Sequence, residues 1–134
     1  VKEEKNWPPN IKAIDKAFQV KDKPNVLYAY GTTIYNPSGV DIPEHLVVHE
    51  LIHGERQLKL PSIDDWWDRY INEPQFRLQE EVIAHKGEWA TFVKNYTDRN
   101  IRARHFHFMC QRLSGPIYGN MCMYTEARKR ILGL

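Results

Sequence analysis

A predominantly helical α+β fold in a single domain, residues 1–134, follows from three features of the sequence. Start signals, stop signals and apolar residues at intervals of three and four mark six helical stretches. Only one segment, residues 26–35, is dense in β-branched and aromatic side chains, and it lies ahead of the longest helical stretches. Finally, 134 residues can bury a core without disulfides, and a hydrophobic content of 42% with four Trp, seven Tyr and five Phe excludes a disordered chain.

Taken in order, residues 1–10 are charged and proline-ended, and read as a flexible N-terminal arm. Ile11, Ile14, Ala17 and Phe18 give residues 11–20 one apolar helical face, and residues 21–25 form a turn. Residues 26–35 read as a short β-hairpin or edge strands, with Gly31 marking a bulge or a tight turn. After the turn Asn36-Pro37-Ser38-Gly39, a helix is expected from Asp41 to near Leu58. Asp41 is its cap, Pro43 lies in the first turn, and Glu44 completes a capping box. Leu60-Pro61 ends it. Ser62 begins a shorter helix with Trp66, Trp67, Tyr70 and Ile71. Residues 75–96 form a long helix, in which Leu78, Val82, His85, Trp89, Phe92, Val93 and Tyr96 define one buried stripe. Gly87 within it costs about 1 kcal/mol relative to alanine. Thr97-Asp98 caps a helix that runs to Leu113 and is stopped by Ser114-Gly115-Pro116. Residues 117–124 are a link, and Thr125 caps a last helix to Leu132. Trp66, Trp67 and Trp89, with Met109, Met121 and Met123, read as core filling.

Nineteen basic against seventeen acidic residues leave a net charge of +2, too balanced to imply a nucleic-acid partner. The basic C-terminal third, with Arg99, Arg102, Arg104, Arg112, Arg128, Lys129 and Arg130, reads as solvated helix faces rather than a phosphate track. Cys110 and Cys122 do not make a disulfide framework or a C-x-x-C site. No apolar run approaches the roughly 18 residues of a membrane span, and the charged N-terminus does not read as a signal peptide. A soluble, cytoplasmic-type protein without a membrane partner is therefore expected.

The segment His49-Glu50-Leu51-Ile52-His53 carries the chemistry. Residues four apart on a helix stand one turn above each other, so His49 and His53 can hold one metal ion. Glu50 is set to take a proton from water beside that ion. Catalytic zinc sites use three protein ligands, so a third donor is needed. The candidates are His85, Glu80, Glu81, Glu88, Asp64, Asp65, Asp68, His105 and His107. On the long helix, Glu81 lies about 65° from the centre of the apolar stripe and Glu80 about 165° from it. Glu81 is thus expected at the edge of the core, where a carboxylate needs a partner, and Glu80 in water. His105 and His107 stay open as alternatives. About 200° apart on their own helix, they do not act as a pair, and at least one should lie at the surface.

H-E-x-x-H on a helix resembles the zincin metallopeptidases. The segment Gln79-Glu80-Glu81-Val82-Ile83-Ala84 is similar to the E-x-x-A ligand helix of the gluzincin group. That resemblance implies a compact, minimal gluzincin-like domain. It also implies Zn²⁺ held by His49, His53 and Glu81, Glu50 as the catalytic base, and a peptide or protein substrate. The strand before the motif helix would then be positioned to pair with an extended peptide. His85 and Tyr118 are candidates for supporting a ligand or stabilising the oxyanion. Residues 30–39, Arg56-Gln57, residues 66–70, Phe76-Arg77-Leu78 and residues 113–119 further resemble small metallopeptidase-like proteins encoded by bacteriophages and prophages, apart from His85 where a tyrosine is expected. This second resemblance implies a host-cell or virion setting and phage structural proteins as partners. It also leaves a non-catalytic assembly role as the alternative function.

Overall fold

The computed structural model describes residues 2–134, which form six α-helices and a three-stranded sheet, an α+β fold rich in helix. The sheet consists of β1 (Lys2–Glu4), β2 (Tyr28–Tyr30) and β3 (Thr33–Tyr35) in the order β1-β3-β2. The helices are α1 (Ile11–Phe18), α2 (Glu44–Gln57), α3 (Ile63–Asn72), α4 (Pro74–Asn95), α5 (Arg99–Ser114) and α6 (Tyr124–Leu132). A single 3-10 turn, Pro116–Tyr118, joins α5 to α6. No described helix is long and apolar enough to cross a membrane.

The hairpin is the antiparallel pair β2–β3, with Tyr30 opposite Thr33. Gly31 takes the turn with φ of 63°, a left-handed conformation that side chains disfavour. Residues 2–4 are not a loose arm, because they pair in parallel with β3, Lys2 opposite Thr33. β3 is thereby covered on both sides. Val1 lies outside the described residues.

Two of the expected caps hold. Ser62 Oγ accepts from the Asp65 amide, and Asp98 Oδ1 accepts from the amides of Asn100 and Ile101. Two do not. Helix α2 starts at Glu44, with Pro43 as its extended N-cap, rather than at Asp41. A residue before proline is pushed out of the helical region, so Ile42 cannot carry the helix back to Asp41. The Pro43 carbonyl accepts the first helical bonds instead, from Leu46 and Val47. Likewise α6 begins at Tyr124 after Met123, and Thr125 lies inside it rather than capping it.

Two apolar clusters flank α4. One joins α1, β2 and α3 through Ile14, Val20, Tyr28, Trp66, Trp67 and Tyr70. The other joins α4, α5 and α6 through Leu78, Met109, Cys110, Leu113, Ala127 and Ile131, with Tyr118 from the 3-10 turn. Trp89 packs half-buried against it, whereas Met123 is 76% exposed and fills no core.

Helices α2 and α4 lie side by side, and glycines set how closely elements approach α2. A Cβ on Gly87 would stand 2.2 Å from Ile52 Cδ1, so the glycine that weakens α4 locally lets α2 settle against it. A Cβ on Gly54 would stand 2.1 Å from the Gly31 carbonyl oxygen, so the hairpin turn rests on the backbone of α2. Gln57, fully buried, fastens the same contact: it accepts from the Gly31 amide at 2.7 Å and donates to the Ala29 carbonyl at 2.9 Å.

Candidate metal centre

The motif falls on the face of α2 turned toward α4, and one helical turn brings the two imidazoles together. His49 Nε2 and His53 Nε2 lie 3.2 Å apart. Glu81 Oε1, from α4, lies 3.1 Å from the first and 3.2 Å from the second. All three residues are buried. His85 adds a second possible donor set, since His49, Glu81 and His85 each place a ligand atom within 4.8 Å of the others. His49, Glu81 and His85 form a buried group that could hold a metal ion, and His53 lies beside the first two.

The donor atoms fit a small cation. Ligands about 2.0–2.1 Å from a tetrahedral metal stand roughly 3.3 Å from one another, close to the observed triangle. Electrostatics agree. Burial alone would lower the pKa of His49, yet its hydrogen bonds to Glu81 and Glu88 outweigh that and raise it well above the ordinary imidazole value. Burial would raise the pKa of Glu81, but His53 and His49 hold its carboxyl well below the usual range. The site therefore draws positive charge to the point where the three atoms converge.

Neighbours hold two of the three donors in place by hydrogen bonds, whereas His53 Nδ1 is buried without a partner and that ring rests against Trp66. Tyr70 donates to Glu81 Oε2 at 2.5 Å, leaving Oε1 to face the histidines. Glu88, two turns beyond Glu81 on α4, accepts from His49 Nδ1 at 2.8 Å, from His85 Nδ1 at 3.0 Å and from His105 Nε2 at 2.7 Å. Burial opposes its charge, but the three imidazoles keep Glu88 ionised far below the usual carboxylate range. A carboxylate on the distal nitrogen is the usual way a ligating histidine is oriented. His105 thus serves Glu88 rather than the donor triangle. His107 is exposed, with Nδ1 against the Tyr124 hydroxyl.

Glu50 stands beside the triangle, its Oε2 3.8 Å from His49 Nε2, and burial raises its carboxyl above the usual pKa. His85 Nε2 is buried without a hydrogen-bond partner, and burial lowers the pKa of that ring. His49, Glu50, His53, Glu81 and His85 line one cavity, whose other walls include Tyr28, Trp66, Tyr70, Phe108, Arg112 and Tyr118. Tyr118 is held there by Arg77, whose Nε donates to its carbonyl at 2.8 Å while Nη1 donates to the carbonyls of Tyr70 and Ile71.

Glu80 corrects the sequence reading. It is 1% exposed rather than turned to water. Its Oε1 accepts from Trp66 Nε1 and Arg56 Nε, both at 2.8 Å. The reason is that α4 packs against α2, α3, α5 and α6 at once, so it has no single buried stripe. The edge of β2 is also more engaged than expected. Gln57 holds Ala29 O and Gly31 N, and Trp67 Nε1 also donates to Ala29 O, so a peptide pairing there would have to displace them.

Glu88 stood in the sequence as one candidate ligand among nine. Its seven-residue spacing from Glu81, two turns on one face, is the signal that sets it behind the site. Arg112, Tyr70 and Gln57 reach the site or its support from other elements, and no spacing in the sequence points to them. Comparison with protein-family models, with curated proteins and with solved structures finds no match to this chain.

Proposed function

We propose that this protein is a zinc-dependent peptidase of the gluzincin type, with His49, His53 and Glu81 as ligands and Glu50 as the base. The observation that carries the reading is the convergence of two imidazole nitrogens and one carboxylate oxygen at 3.1–3.2 Å with a second carboxylate beside them. Two histidines and a glutamate are a known donor set of catalytic zinc, which leaves one position open. Bound there, zinc supplies a Lewis acid that polarises a peptide carbonyl and makes water more acidic.

The chain's own groups provide the rest. Glu50 accepts the proton of the attacking water and returns it to the leaving amine, a task its place beside the donor triangle supports. Glu88 holds His49 and Tyr70 holds Glu81, so that these two ligands rearrange little during turnover. Tyr118 and His85, on the cavity wall, are placed to hydrogen-bond the substrate carbonyl. An assembly role without turnover gives Glu50 no task, although burying a carboxylate beside His49 and Glu81 is costly.

The test is the Glu50→Gln variant, which preserves shape and removes the base. It is expected to retain zinc at about one per chain while hydrolysis of a mixed peptide library, followed by mass spectrometry, falls about 10²- to 10⁴-fold. Unchanged hydrolysis in a zinc-loaded Glu50→Gln protein rejects the assignment, as does a wild-type protein that binds no zinc.

A further inference from the structure

Arg112 is the one arginine lining the metal cavity, and among the described residues it forms no ion pair. Other arginines near the core are engaged. Arg77 is spent on three backbone carbonyls, Arg56 on Glu80, and Arg102 on the carbonyls of Tyr96 and Val93. Arg112, half-buried in the last turn of α5, lies instead against two aromatic rings, its guanidinium carbon 5.4 Å from the Phe108 centroid and 5.9 Å from that of Tyr118. Contact of this kind holds a guanidinium against aromatic faces, and its five donors are more than the one hydrogen bond to the Tyr118 side chain uses, so donors remain for a planar anion.

The carboxylates nearest to it do not use it. Glu81 is bonded to the two motif histidines and Tyr70, and Glu88 to three imidazoles. Glu50 lies beyond ion-pair distance of Arg112, and both Glu81 and Glu50 only add to the field that keeps the guanidinium charged. A cation held by packing and by Tyr118, without a carboxylate partner, and opening on the same cavity as the donor triangle is a recognition group for an anion brought in with the substrate.

We propose that Arg112 binds the C-terminal carboxylate of a peptide substrate, so that the enzyme acts on free chain ends rather than on internal segments. This rests on the peptidase reading of the same cavity. Among anions carried by peptides, the terminal carboxylate is the one present on every chain, and it is planar and bidentate like the guanidinium edge. Ile117, Phe108 and Leu27 on the cavity wall give apolar surface for the last side chain. The engaged edge of β2 at Ala29 and Gly31 points the same way, because it denies a long internal segment the backbone pairing it would otherwise find there.

The experiment uses the Glu50→Gln protein, loaded with zinc, so that binding is read without turnover. An N-acetylated tripeptide with a free C-terminal carboxylate and its amidated twin are titrated by calorimetry. The acid is expected to bind about 10- to 100-fold more tightly than the amide. Adding Arg112→Gln should bring the two affinities to within about threefold, and Arg112→Lys should retain part of the difference, since it keeps the charge without the fork. Equal affinities in the Glu50→Gln protein overturn the proposal. So does a preference for the acid that survives Arg112→Gln in a protein with an unchanged melting temperature, because the carboxylate then sits elsewhere. Failure of both peptides to bind overturns it as well. The peptidase reading fails separately, by zinc content and by hydrolysis in wild-type protein.

Discussion

Glu81→Ala is expected to lower zinc affinity more than about 100-fold, beyond the 10- to 100-fold typical of groups that only support a ligand. The substitution removes the sole donor that α4 contributes to the triangle with the two motif nitrogens. It also leaves the Tyr70 hydroxyl without its acceptor and His49 with Glu88 as its one hydrogen-bonded carboxylate, Glu50 standing 3.8 Å away. Chelator competition on the folded variant measures the loss, and metal content per chain gives the simpler readout. Glu80→Ala is the informative contrast. It leaves the donor triangle intact but strips Trp66 Nε1 of its acceptor, at a cost of about 1–3 kcal/mol of stability. Zinc retained by Glu81→Ala and lost by folded Glu80→Ala would reverse the assignment of the two neighbours.

Gly54→Ala is expected to be the most damaging change that touches no polar group. The added carbon would stand 2.1 Å from the Gly31 carbonyl oxygen, which belongs to the backbone and cannot rotate aside. Either the hairpin lifts from α2 or the helix bends, and both moves break the two Gln57 bonds. Overpacking of this kind costs about 1–3 kcal/mol, and here two buried hydrogen bonds go with it. The helix-propensity gain of about 1 kcal/mol offsets only part. Gly87→Ala makes the control, because its carbon meets the tip of Ile52, which can adopt another rotamer. Urea denaturation should show a clearly larger loss for Gly54→Ala than for Gly87→Ala, and equal losses would mean that the hairpin yields easily.

The sequence exposes those parts of this protein that follow from local rules. Six helices, the Gly31 turn and the placement of His49, His53 and Glu81 near one another all reflect periodicity or turn chemistry. What it conceals depends on how many neighbours an element has. Helical periodicity separates a buried face from a wet one, and over residues 77–88 the exposed part of α4 narrows to the strip of Gln79 and Lys86, because four other helices pack around it. Periodicity therefore places Glu80 wrongly in water and gives no sign that Arg77 is buried, whereas the spacing of Glu88 from Glu81 does put the two on one face. The pairing of residues 2–4 with β3 was equally invisible, because three charged positions carry no alternation and the partner lies some thirty residues away. The Asp41 cap failed for a local reason that was legible, the restriction that Pro43 places on Ile42.

Glu88 gathers imidazoles from α2, α4 and α5 onto one carboxylate. An apolar interface between three helices tolerates sliding and rotation at small cost, whereas these bonds close only in one alignment. The carboxylate thus acts as a register pin, discriminating against near-native packings whose hydrophobic burial would be almost as good. That alignment also fixes where His49 and Glu81 meet, so a change at Glu88 should disturb the geometry of the centre and the packing of three helices together.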